Sequence, residues 1–335
     1  MRKKAILWGY KYRNMRESWK LQMQWLVKAL QEESYTVIKH KDFICQGLDN
    51  LPVYDFRKDI CDIVIYNHCD ISHIIGNVIP VKKNLFFKPT VPDKYHTTLD
   101  ELGYGAYSSI TYDKPDFESC NINNAIAFFR MKVKRWIQNR DTKFWDFENK
   151  ETEVKENDYY LVLGQCGGDY VVTRQDFGIY FNKLEAVIRE LARIGNRKIV
   201  VKLHPYTDGV DAKDDKFSQK IASNLRKIDS KVIVYLGKTN IHNFIEKAHS
   251  VYLANSGAGF EVMMHHKPII AWGYPEYHWI TYNLRHLCDL IRAIKVEDWF
   301  DAEKQDKFLY WYMEKYCYYN LKGARRRLKE ILYGK

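Results

Sequence analysis

The chain has 335 residues, 46% hydrophobic and 28% charged, which excludes a disordered polypeptide and exceeds what one ordinary hydrophobic core supports. Its formal net charge of +11 suits a polyanionic partner, and the scatter of that charge outside Arg325-Arg326-Arg327 argues against a dedicated nucleic-acid arm. Seven cysteines (Cys45, Cys61, Cys69, Cys120, Cys166, Cys288, Cys317) lack CxxC or CxxH spacing, the apolar run after Lys4 is too short for a signal peptide, and no stretch is long enough to span a bilayer; a cytoplasmic protein is expected, with any membrane contact peripheral at the inner face.

In chain order, Ala5-Ile6-Leu7-Trp8-Gly9 predicts a first buried strand, and Trp19, Met23, Leu26, Val27 and Leu30 recur at helical spacing over 18–30. Apolar runs at 35–38, 60–66 and 84–87 add strands, an alternation that favours a parallel sheet with helices on its faces. The Gly-, Tyr- and Ser-rich run 102–109 is expected as a loop at the rim of a site. A helix over 121–139 follows, and the charged, interrupted stretch 140–158 reads as an interdomain linker. A second series begins with the strand 159–163 and continues through helix 182–194, strand 198–203, helix 216–227 and strand 232–235. Helix 241–248, strand 251–254, helix 259–265 and strand 268–272 complete it. Two successive α/β halves result, without a solenoid repeat.

Ligands of open α/β sheets bind beyond the carboxyl ends of the strands, and three segments of the second half stand there. Gly164-Gln165-Cys166-Gly167-Gly168-Asp169 turns sharply on its glycines and delivers Asp169, either as a nucleophile or base or as the cap of a following element. Lys202-Leu203-His204-Pro205 alternates two cations at a strand end, which suits a departing phosphate; a His before Pro is also an ordinary loop residue. Asn255-Ser256-Gly257-Ala258-Gly259-Phe260-Glu261 lies between a strand and a helix start, where free amides attract an anion and Glu261 can accept from ribose hydroxyls. Met264 stands near the place of the third glycine of a dinucleotide fingerprint, which disfavours a nicotinamide enzyme. Asp-x-Asp, Walker, Gly-x-Ser-x-Gly and His-Glu-x-x-His patterns are absent, and neither His265-His266 nor His68-Cys69 has metal-ligand spacing, so no metal and no cofactor are expected.

Together these segments resemble the bacterial capsule-polysaccharide synthesis family, the β-Kdo transferases of the KpsC/LipB type. The match runs from Asn255 to Glu261, through Lys267-Pro268-Ile269-Ile270, to Gly273-Tyr274-Pro275-Glu276-Tyr277 and Trp279. A Gly-Gln-x-x-x-Asp turn is matched by Gly164, Gln165 and Asp169, and a Lys-x-His-Pro strand end by Lys202, His204 and Pro205. The resemblance covers residues 159–281 and reaches the first half only loosely. Gly167-Gly168 departs from a more acidic stretch in the family, and Ile280-Thr281 from a Gly-Leu-Thr.

The resemblance implies an α/β, GT-B-like architecture of two Rossmann-like domains with a cleft between them. Residues 1–150 would bind the acceptor, 151–300 the nucleotide sugar, and a C-terminal helical segment, 301–335, would pack back on the first domain. The activity implied is a metal-independent glycosyltransferase that moves Kdo from CMP-Kdo to a saccharide or glycolipid in surface polysaccharide synthesis, with retention through an adduct on Asp169. Gln165, Lys202, His204, Ser256, Gly257 and Gly259 would hold the donor phosphate, Glu261 the ribose, and His204 would assist the leaving group. In the first half Asp100 or Glu101 before Gly103 resembles the family's acidic-Gly acceptor segment and offers a general base, Glu101 being taken for that role, with Gly103, Tyr104, Tyr107 and Ser108 as the acceptor rim. Two alternatives stay open. One is a UDP- or GDP-linked neutral sugar as donor; the other is a non-enzymatic polyanion or membrane binder using Arg325 to Arg327 and the aromatic segment 308–319. Expected partners are the donor, the acceptor and an anionic membrane face, with no nucleic acid.

Overall fold

In the computed structural model, which describes residues 3–8, 17–39, 61–67, 83–89, 95–142, 154–167, 169, 171–172, 179–207, 210–211 and 213–334, the two apolar series fold as two separate sheets. Chain contacts group Met1–Pro115 with Trp311–Lys335 as one unit and Asp116–Tyr310 as the other.

The first unit holds β1 (Lys3–Trp8), β2 (Tyr35–Lys39), β3 (Ile63–Asn67), β4 (Lys83–Pro89) and β5 (Thr97–Asp100) in the order β2-β1-β3-β4-β5. The first four are parallel, and β5 runs antiparallel to β4 with Asp100 opposite Phe86. This is the flavodoxin-like order of a doubly wound fold. The expected rim loop is preceded by β5, which Thr97-Thr98-Leu99-Asp100 does not advertise by alternation. All four of its residues are buried because a distant segment covers its edge: the Thr97 and Tyr318 backbones exchange N–H to O bonds of 3.0 Å each way.

Helix Glu17–Glu32 buries Met23, Leu26, Ala29 and Leu30 against this sheet, in one core with Tyr318, Ala324, Leu328 and Ile331 of the chain's last segment. Helix Leu321–Tyr333 starts on Asn320, whose side chain accepts from the Gly323 amide at 2.7 Å, and stops at Gly334 in the left-handed region at φ 66°. The Arg325 to Arg327 cluster, expected in one alternative as a polyanion surface, is used within this unit. Arg325 pairs with Glu32; Arg326 donates to the carbonyls of Glu314, Lys315 and Cys317; Arg327 donates to Leu99 O at 3.0 Å and lies 4.7 Å from the Tyr316 ring centre.

The second unit holds β6 (Tyr159–Leu163), β7 (Ile199–Lys202), the hairpin β8 (Tyr206–Thr207) and β9 (Val210–Asp211), β10 (Val232–Tyr235), β11 (Ala248–Leu253), β12 (Ile269–Ala271) and β13 (Tyr282–Asn283). Its six-stranded sheet is parallel throughout in the order β10-β7-β6-β11-β12-β13, the order of a dinucleotide-binding fold. β6, β7 and β12 are buried at every residue, as both-face coverage by helices requires, and this is why they read as unbroken apolar runs. Helix Tyr180–Ile194 supplies Leu184, Val187, Ile188 and Leu191 to that cover. The helix expected over 241–248 is shorter, His242–Ile245, because Ala248 already belongs to β11.

The helix expected over 121–139 forms as Ile122–Phe128, Phe129–Val133 and Lys134–Gln138, the middle piece wound as a π-helix. Its buried residues are Ala125, Phe128, Val133 and Trp136. The step of five from Phe128 to Val133 does not fit an α-helical stripe, and one wider turn restores Val133 and Trp136 to the inner face. Residues 143–153 of the expected linker lie outside the described residues. Among the described residues no helix is long and apolar enough to cross a membrane.

Candidate active site

Strand register decides which loops can meet in the second unit. Tyr235 stands beside Lys202, Lys202 beside Leu163, Leu163 beside Leu253, and Leu253 beside Ala271, so five parallel strands end in one row. The segments after them, including Gln165 to Asp169, His204, and Asn255 to Glu261, therefore leave from a single carboxyl edge. In this strand order the topological switch point lies between β6 and β11, whose connections depart to opposite sides and open a crevice.

Two amide side chains bridge that switch point. Gln165 Nε2 donates to Asn255 Oδ1 at 2.8 Å, and the Asn255 backbone N–H donates to Gln165 Oε1 at 2.9 Å. Asn255 Nδ2 also donates to Val171 O at 3.0 Å, and the Gln165 amide donates to the Tyr180 hydroxyl at 2.7 Å. The turn carrying Asp169 is thus tied to the turn carrying Ser256. Asp169 itself is exposed; its Oδ1 accepts from Val171 N at 3.1 Å, and its own N–H donates to Cys166 O at 3.0 Å. The capping geometry anticipated as the alternative role is present, and it leaves the carboxylate at the lip of the crevice. Its neighbours Gly168 and Tyr170 lie outside the described residues.

His204 is half-buried, with Nδ1 2.6 Å from Tyr206 O. The Tyr206 backbone N–H also approaches Nδ1, at 3.2 Å; in the imidazolium Nδ1 donates to the Tyr206 carbonyl and Nε2 is a second donor. Lys202 is buried, and its ammonium donates to the carbonyls of Leu203 at 2.7 Å and Gly237 at 2.9 Å. It binds the ends of β7 and β10 together. Gly237 takes φ 82°, which favours glycine, and so turns that carbonyl toward the lysine.

The turn at Ser256 closes on itself. The amides of Ala258, Gly259 and Phe260 donate to Ser256 Oγ, Ser256 O and Gly257 O at 3.2, 3.1 and 3.2 Å, leaving those of Ser256 and Gly257 as the amides the turn does not use internally. The anion-binding group expected here is narrower for that reason. The Tyr277 hydroxyl donates to Ser256 O, and its ring lies so close beneath Gly259 that a Cβ there would come within 2.1 Å of it. Burial and the nearby Glu276 and Glu261 hold the Tyr277 hydroxyl well above the usual phenol range, so it stays a donor. Glu261 is buried, 2% exposed, and accepts from Thr142 Oγ1 at 3.3 Å.

In the first unit Asp100, not Glu101, organises the expected acceptor segment. The fully buried Asp100 carboxylate accepts from the amides of Leu102, Gly103 and Ser109 at 2.8, 3.0 and 2.9 Å, from the Ser109 hydroxyl, and from the Tyr316 hydroxyl at 2.7 Å. Gly103, Tyr104 and Ser108 are buried and Tyr107 half-buried. Lys88 Nζ lies 4.0 Å from the Tyr104 ring centre, and the Ser108 hydroxyl donates to Gly105 O at 2.8 Å. Glu101 is exposed and ion-paired with Lys83, the first residue of β4. That position is level with the amino end of the parallel strands of its sheet, opposite to the edge where open sheets bind ligands. Among the described residues no three His, Cys, Asp or Glu side chains gather as metal ligands would.

A sequence profile described as "Capsule polysaccharide biosynthesis protein" matches residues 90–310. The chain belongs to that family. Among solved structures, the β-Kdo 2,4 transferase of Thermosulfurimonas dismutans KpsC is similar at TM-score 0.55 and 13% identity over 95% of this chain and 92% of its own. The β-Kdo 2,7 transferase of the same organism's KpsC is similar at TM-score 0.50 and 14% identity over 98% of this chain and 99% of its own. At such identity the likeness shows the fold, and the GT-B-like pair of Rossmann-like domains expected from the sequence is the fold found. No curated protein sequence matches the chain.

For this member of the capsule polysaccharide family, the structure brings Gln165, Asp169, Ser256, Gly257 and Gly259 to one switch point and sets His204 on the same sheet edge. Sequence reasoning missed the bridging role of Asn255 and the Tyr180 hydroxyl. A Gly-rich turn beginning at Asn255 marks a strand end, yet nothing local reveals a partner 90 residues away.

Proposed function

We propose that the chain is a glycosyltransferase that moves a sugar, Kdo from CMP-Kdo, to a saccharide or glycolipid acceptor in surface polysaccharide synthesis, with retention of configuration. The observation that carries this reading is the Gln165–Asn255 amide pair, which holds an exposed carboxylate and an anion-binding turn on either side of one switch point. That the similar structures are β-Kdo transferases supports the donor.

Asp169 attacks the anomeric carbon; the bond from that carbon to the phosphate oxygen breaks, and its electron pair leaves with CMP. The Ser256 and Gly257 amides and His204 Nε2, as imidazolium, offset the charge that develops on the phosphate. The acceptor oxygen then bonds to the anomeric carbon, the carbon–oxygen bond to Asp169 breaks with its electron pair returning to the carboxylate, and the hydroxyl proton passes to solvent; two displacements give net retention. Lys202 acts in this scheme by holding the β7 and β10 ends, since two carbonyls already bind its ammonium. Glu261 accepts the ribose hydroxyl in place of the 3.3 Å bond from Thr142. No base role is assigned to Glu101, whose charge is met by Lys83.

The test is Asp169→Ala. Transfer should fall by about a thousandfold or more while CMP still raises the melting temperature. Intact-mass measurement of the wild-type chain with CMP-Kdo should show one added sugar that the variant lacks. Near-normal turnover in Asp169→Ala, or stabilisation by UDP or GDP but not CMP, would reject the nucleophile or the donor respectively.

A further inference from the structure

Surface cations in this chain commonly sit beside carboxylates: Arg189 pairs with Glu185, Arg193 with Glu190, Lys307 with Glu303 and Arg325 with Glu32. The helical run Ile122–Gln138 differs. Residues 121–140 include Arg130, Lys132, Lys134, Arg135 and Arg140 and no Asp or Glu. Arg140 finds Glu246 at 2.8 Å, and Lys132 Nζ lies 5.5 Å from the Phe128 ring centre. Arg130, Lys134 and Arg135 are exposed, and none has a carboxylate at ion-pair distance among the described residues.

Between these cations stands Met131, 76% exposed, more than any other large apolar side chain described. The π turn puts it there: with Phe128, Val133 and Trp136 turned inward, Arg130 and Met131 fall on the outer side. An acid-free row of long cations around an outward thioether is the composition of a helix that lies on an anionic bilayer, cations at the phosphates and the apolar side chain at the acyl boundary. A single-stranded nucleic acid would be met by exposed aromatic rings. Here Phe128 and Trp136 are buried, and Phe129 stacks on His266 at 4.4 Å.

We propose that the outer face of this helical run, through Arg130, Lys134, Arg135 and Met131, docks the second unit on an anionic lipid surface. The inference does not rest on the donor or on Asp169, and its test is read without transfer activity. The full chain is sedimented with vesicles of one part phosphatidylglycerol to two parts phosphatidylcholine, and with phosphatidylcholine alone. It should bind the first, not the second, and less as salt rises. The Arg130→Gln/Lys134→Gln/Arg135→Gln variant should lose about fivefold in partitioning per cation, about a hundredfold in all. Met131→Trp, at unchanged melting temperature, should bind more tightly. Equal partitioning of wild type and triple variant, indifference to lipid charge, or tighter binding of duplex DNA than of anionic vesicles at the same salt would each overturn the proposal.

Discussion

At the scale of single residues, burial sets what each titratable group can do. His242 and His265 face one another in the second unit, Nδ1 to Nε2 at 2.7 Å, and His242 Nε2 reaches Asp141 O at 2.7 Å. One tautomeric order satisfies both contacts: His265 donates to His242, and His242 donates to the carbonyl. Burial pushes His242 down to about 4, and burial reinforced by His242 pushes His265 down to about 3. Both rings are therefore neutral in the folded chain where the unfolded chain begins to bind protons. Stability is fully present above pH 6.5 and falls as pH drops from 6.5 toward 4, by about 3 kcal/mol from the lowering of His242. Urea midpoints should fall across that window, and His265→Gln, which keeps a donor toward His242, should make the fall shallower. An unchanged slope in that variant would separate the acid sensitivity from this pair. Lys202 shows the same dependence on surroundings: its position before Leu203-His204 signals an anion site, yet its ammonium is met by two carbonyls.

At the scale of elements, three adjacent arginines with the same sequence signal do different work. Arg326 gathers the carbonyls of Glu314, Lys315 and Cys317, where the π turn Tyr312–Tyr316 ends and leaves them without helical partners. Arg325 meets Glu32 on the exposed side. Arg326→Ala should therefore cost about 1–2 kcal/mol in equilibrium denaturation, because three carbonyls, two of them in part-buried contacts, lose a charged donor. Arg325→Ala should leave the denaturation midpoint close to that of the wild type, as loss of an exposed ion pair does. Equal costs would mean that helix Leu321–Tyr333 is held by its apolar face alone. Strand β5 depends equally on a remote element, since Tyr318 covers its edge.

At the scale of the whole molecule, the last segment of the chain belongs to the first unit. Tyr318, Leu328 and Ile331 lie in its core, and at about 2 kcal/mol each their burial amounts to about 6 kcal/mol, comparable to the net stability of a domain. A chain ending at Tyr310 should lose the cooperative unfolding of the first unit and expose 17–39 and 83–89 to rapid proteolysis. The second unit, whose sheet and switch point lie within Asp116–Tyr310, should keep the thermal shift with CMP that the proposed function predicts for the intact chain. Protection of 17–39 and 83–89 in that truncated chain would show that the first unit's core tolerates the loss.

The order of strands and helices, the three strand-end segments and the family were legible in the sequence, because periodicity and short motifs are written in neighbouring residues. Phe128 to Val133, by contrast, hides a π turn in a run that otherwise reads as a plain helix. Only the tertiary structure decided that Gln165 and Asn255 close the switch point, that Asp100 rather than Glu101 organises its loop, and that Arg326 and Arg327 turn to carbonyls of their own unit while Arg325 and Met131 stay exposed. Those outcomes depend on strand order and register, which set the atoms each side chain meets across tens to hundreds of intervening residues.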